Sequence, residues 1–196
     1  MNRQTRMLRM TTASFLIALI VLLGLTPIGF INVGVIYITF LCIPVILGTQ
    51  TMGLKMGLAL GFCMGCVSFY TGYTKPSALG LPILENSMAW LFPLCFIPRL
   101  LVPTVTAAVK KFMEKKYRES DTLLLSAGAG SLTNTVFYLG LLLIIYQVIG
   151  LGSHKLLMTV IVIALTAGLP EAVAAAIICP AIYMALKKAR LIGRLN

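Results

Sequence analysis

The sequence predicts an all-α integral membrane protein of six transmembrane helices, with an extra short outer helix before the last span, as one domain over residues 1–196. Composition is the first reason. The chain is 59% hydrophobic and 11% charged, with a mean hydropathy of +0.99, and a soluble domain of this size has too much outer surface to carry that composition in water. Charge placement is the second. Thirteen of the sixteen cations fall in four segments, Arg3 to Arg9, Lys55, Lys110 to Arg118 and Lys187 to Arg194. Only Lys75 and Lys155 lie in the intervening loops, and Arg99 sits inside an apolar run. That alternation follows the positive-inside rule and puts both termini on the cytoplasmic side of a cell membrane. The formal net charge of +11 therefore reports topology and anionic-lipid contact, not nucleic acid.

Residues 1–9 read as a basic cytoplasmic cap, and the first span runs from about Met10 to Leu25. It is long enough to cross and lacks a small-residue cleavage site, so no cleavable signal peptide is expected. Thr26 to Asn32 crosses to the outer side, and Val33 to Leu47 forms a short second span carrying Tyr37, Thr39 and Pro44. Only GTQTMG separates it from the third span, so the two are antiparallel neighbours. The third span holds Gly53, Gly57, Gly61 and Gly65, a ladder that in lipid marks one face of close backbone packing. Cys63 and Cys66 form a C-x-x-C without a second pair or a nearby histidine, which fits small packing residues better than a metal or redox site.

Phe69 to Ser87 is the longest polar loop, rich enough in glycine and proline to move over a site on the outer side. The fourth span, Trp90 to Lys110, is the stretch around which the chain is organised. A guanidinium near the bilayer centre costs at least ~2.5 kcal/mol on the insertion scale, so Arg99 needs water, protein dipoles or an anion. Pro93, Pro98 and Pro103 break the backbone ladder around it, as suits a helix lining a cavity. Lys110 to Asp121 is a charged cytoplasmic loop, and the fifth span opens AGAGSLTNT and runs to about Ile149. Leu156 to Leu186 exceeds the ~20 residues one crossing needs. Gly168 and Pro170 divide it into an outer interfacial or re-entrant helix, Leu156 to Thr166, and a sixth span, Leu169 to Leu186.

Helical rise sets depth along each span. Counting from the charged flanks puts Arg99 about 16 Å, Asn134 about 20 Å and Glu171 about 24 Å from the cytoplasmic side. Arginine grips a carboxylate with two parallel hydrogen bonds, and asparagine both donates and accepts. Together they suit a small acid bearing an amide and hydroxyls. Asn134 also reads as interhelical glue with Thr133 or Thr135. Glu171, just after Pro170, complements a helix dipole or neutralises Arg99. Asn32, Tyr37, Trp90 and Tyr138 complete the expected ligand contacts. The chain has no G-x-x-x-x-G-K-[ST], H-E-x-x-H or G-x-S-x-G, and His154 stands alone beside Lys155, so no catalytic, metal or cofactor site is expected.

The order INVGVIYITFLCIPVILGTQTMGLKMGLALGFCMG, a proline–arginine pair in the fourth span, GSLTNT in the fifth and the closing PEAVAAAIICPAIYMALKK resembles the substrate-binding (S) components of energy-coupling-factor (ECF) vitamin transporters. GSLTNT and PEAVAAAI are its most specific parts, and the likeness is greatest to the pantothenate-specific members. The resemblance implies six helices and a vitamin bound near the outer side. It implies as partners a transmembrane coupling subunit and two cytoplasmic ATPases, and a protein that topples to carry its ligand inward. It also implies ligand contacts at Arg99 and Asn134, and docking through small residues on the first helix. The family's alanine-x-x-x-alanine is here Ser14-x-x-x-Ala18. Two other readings stay open: an S component for a different small vitamin or precursor, and a structural membrane protein whose Arg99 pairs with Glu171.

Overall fold

A computed structural model describes residues 3–26, 30–33 and 36–189, and the side chains of 30–33 and 36–39 lie outside the described part. The element order is α1 (Arg3–Leu25), β1 (Phe30–Val33), β2 (Ile36–Thr39), α2 (Cys42–Met52), α3 (Leu54–Thr74), α4 (Leu81–Asn86), α5 (Met88–Met113), α6 (Glu119–Val148), α7 (His154–Ile163), a π-helical turn (Ala164–Gly168) and α8 (Leu169–Lys188). Five helical stretches are long and apolar enough to cross a membrane, and the protein is a multi-pass helical membrane protein.

The predicted second span is corrected. Its start, with the end of the loop predicted before it, forms an antiparallel hairpin, with Phe30 opposite Thr39 and Asn32 opposite Tyr37. Only Cys42–Met52 is helical, and eleven residues rise about 16 Å, roughly half the hydrocarbon thickness. IYIT is a β-branched and aromatic run, and so short an apolar segment does not declare helix or strand by its periodicity. The expected polar hinge GTQTMG is also helical as far as Met52, leaving Gly53 as the junction. Gly53 has φ +87°, a conformation that strains any residue with a Cβ.

Several boundaries also move. The predicted outer loop is largely helical, with α3 reaching Thr74 and α4 following. Ser87 caps α5, its Oγ accepting from the Ala89 amide at 3.3 Å. The fifth helix starts at Glu119, where Glu119 and Asp121 favour the first-turn dipole. From His154 to Lys188 the chain stays helical without a loop, a π-helical turn ending at Gly168 parting α7 from α8. The π turn falls just before Pro170. A proline ring crowds the carbonyl four residues back, here Thr166, and a widened turn relieves that contact.

The glycine ladder is an internal seam. Gly57, Gly61 and Gly65 are buried on α3, where a Cβ would meet Pro103, the Arg99 carbonyl and Phe96 of α5 at 2.8, 2.6 and 2.8 Å. At the charged end Lys110 donates to the Gln50 carbonyl (2.8 Å). The buried Gln50 amide donates to Leu123 O and Ser126 Oγ, both at 2.9 Å. Lys187 pairs with Glu119. These bonds tie the ends of α2, α5, α6 and α8 together on one side of the bundle.

Candidate functional site

Arg99 lies midway along α5, a helix that packs most extensively on α6 and α3. In a regular helix the amide of residue 98 would donate to the carbonyl of Leu94, but Pro98 has no amide hydrogen. Arg99 Nη1 donates to that carbonyl instead, at 2.8 Å. Its guanidinium carbon stands 4.7 Å from the centroid of the Tyr138 ring on α6, a cation–π arrangement. Nε is buried and has no acceptor among the described residues.

Asn134 precedes Tyr138 by four residues, so both lie on one side of α6. Asn134 is 8% exposed, and its buried Oδ1 accepts no hydrogen bond from the described residues. Thr133 donates instead to the Ala129 carbonyl of its own helix at 2.7 Å, and the Thr135 side chain faces Gly168 of the π turn. Neither threonine interaction involves Asn134.

Glu171 is buried in the first turn of α8. It lies within electrostatic range of Cys42 at the start of α2, as does Arg99. Arg99, Tyr138, Cys42 and Glu171 thus gather four elements around one region, with Asn134 a turn away from Tyr138. The ion pairs seen among the described residues, Lys110–Glu114 and Lys187–Glu119, are both at the charged end, and Arg99 takes part in neither.

The remaining predicted residues divide. Trp90 is half-buried and packs against the cluster that contains Ile83, Leu94 and Leu139. The backbones of Asn32 and Tyr37 pair in the hairpin, whose second strand contacts the π turn and α8; their side chains lie outside the described part. Ser14 and Ala18 are exposed on α1, away from its buried stripe Ala13, Leu16 and Ile20. A surface depression between Leu143 and Gln147 of α6 and His154, Leu156 and Leu157 of α7 includes none of the predicted polar site residues.

Sequence reasoning missed Cys42 and the Leu94 carbonyl. The second was legible, because Pro98 alone implies an orphaned acceptor four residues earlier. Cys42 carried no such signal, since its nearness to Glu171 spans 129 positions of sequence.

A part-buried arginine inside a multi-helix membrane bundle, without an ion pair among the described residues, is a candidate site for a ligand at membrane depth. The chain belongs to the ECF transporter family, matching the substrate-specific component over residues 8–183. That family is a transporter component, not an enzyme. The chain is also similar to the pantothenic acid transporter PanT of Lactococcus lactis subsp. cremoris (strain MG1363), with 32% identity over 160 residues, covering 78% of this chain and 79% of that protein.

Proposed function

We propose that this S component captures pantothenate from outside the cell and delivers it inward with a transmembrane coupling subunit and two ATPases. The observation that carries the reading is the pairing of two buried, complementary groups. Arg99 Nε lacks an acceptor and Asn134 Oδ1 lacks a donor among the described residues. A small acid carrying a hydroxyl or amide supplies one of each. The similarity to a pantothenic acid transporter supports the choice of acid. Arg99 stands outside the ion pairs seen among the described residues, which weighs against a purely structural arginine.

Glu171, Trp90, Asn32 and Tyr37 are taken as further ligand contacts in this reading, the last two belonging to the hairpin. Six passes are completed by α2 with the hairpin as the second and α8 as the sixth, α7 lying at the outer interface. Both termini are cytoplasmic in this arrangement. Ser14 and Ala18 form the docking face for the coupling subunit, where small side chains allow close helix approach.

Titration calorimetry of the purified chain with pantothenate, thiamine and riboflavin tests the reading. Saturable heat with pantothenate alone is the expected result. Binding of another vitamin in its place would reassign the substrate, and silence with all three would sink the carrier reading for these ligands.

A further inference from the structure

Among the described residues two contacts hold the Arg99 guanidinium, and neither involves an anion. One exists because Pro98 withholds an amide, which leaves the Leu94 carbonyl for Nη1 at 2.8 Å. The other is the face of Tyr138, 4.7 Å from the guanidinium carbon. Pinned on both sides, the fork has one fixed direction and keeps a buried Nε for an incoming acceptor. The backbone beneath is fixed as well, because Gly61 of α3 lies directly against the Arg99 carbonyl. Pro103 frees that carbonyl in its turn, being four residues further on.

We propose that Pro98 and Tyr138 are positioning residues that set the site's preference for an acid. Pro98 acts by creating the acceptor that orients the guanidinium. Tyr138 acts through its ring, holding the charge without neutralising it, so that an anionic ligand is left to do so. A carboxylate in place of Tyr138 would fill the same space and cancel the charge. The inference rests on the reading of Arg99 as the carboxylate-binding group.

The test compares pantothenate with its alcohol analogue, in which CH2OH replaces the carboxylate, by titration of the purified full-length chain. Pro98→Ala returns an amide that competes for the Leu94 carbonyl. It is expected to keep or raise the melting temperature while lowering the acid-over-alcohol preference about fivefold, the scale of one hydrogen bond or cation–π contact. Tyr138→Phe is expected to keep the preference and Tyr138→Leu to lower it by a similar factor. A wild-type preference in both Pro98→Ala and Tyr138→Leu would overturn the proposal, as would equal loss in Tyr138→Phe and Tyr138→Leu for the role of the ring. Arg99→Ala separates the two layers. If it leaves the preference unchanged, the reading of Arg99 fails. If it abolishes the preference while the other variants retain it, only the positioning proposal fails.

Discussion

A Cβ on Gly61 would stand 2.6 Å from the backbone carbonyl of Arg99. The glycine on α3 is therefore what allows α5 to present its arginine at this depth and rotation. In lipid there is no hydrophobic drive between helices, so close packing of small residues carries much of the association. Gly61→Ala must push the two helices apart against backbone atoms rather than a flexible side chain end. We expect overpacking to destabilise the fold by about 1–3 kcal/mol, seen as a lower melting temperature, and to weaken pantothenate binding in the folded fraction. Gly140→Ala, where an added Cβ meets nothing within 4 Å, serves as the control. Equal melting temperatures for the two variants would show that the seam tolerates a methyl group.

Arg99→Ala removes the charge itself. Hydrogen bonds to charged groups contribute about 1.5–3 kcal/mol, so pantothenate affinity is expected to fall at least about tenfold. The Leu94 carbonyl loses its donor too, and a small decrease in melting temperature should accompany the loss. Wild-type affinity in the purified variant would rule out the carboxylate contact.

Asn134→Ala should cost less, about 0.5–1.5 kcal/mol for a neutral bond. The relevant comparison is affinity against melting temperature on one preparation. A ligand contact lowers the first, whereas interhelical glue lowers the second and leaves affinity in the folded fraction intact.

Docking is tested away from the pocket. Ser14→Trp and Ala18→Trp place a bulky ring on the exposed side of α1, with the buried stripe untouched. Each variant is expected to bind pantothenate normally and to lose pull-down of a coupling subunit and its ATPases. Normal pull-down by both would move the docking face to another exposed surface. The glycine ladder is not such a surface, because Gly57, Gly61 and Gly65 are packed on α5.

The sequence alone carried the membrane character, the charged end and the central place of Arg99. Each depends on composition or on a charge within an apolar run, properties that no neighbour can alter. Gly57, Gly61 and Gly65 were legible as a packing face for a similar reason: small residues four apart fall on one side of any helix. Their partner was not, since nothing local says that the face meets Pro103, Arg99 and Phe96. The hairpin at 30–39 was misread because strands of four residues are too short for period to separate them from helix. The early start of α6 was missed because Glu119 and Asp121 look like loop residues in sequence, yet fit the first turn of a helix. Tertiary structure alone decided that Arg99 lies over Tyr138 and that Glu171 and Cys42 come near it. Depth along each helix follows from counting residues at a fixed rise. Rotation about the axis, and so which buried polar groups face one another, follows from how neighbouring helices pack.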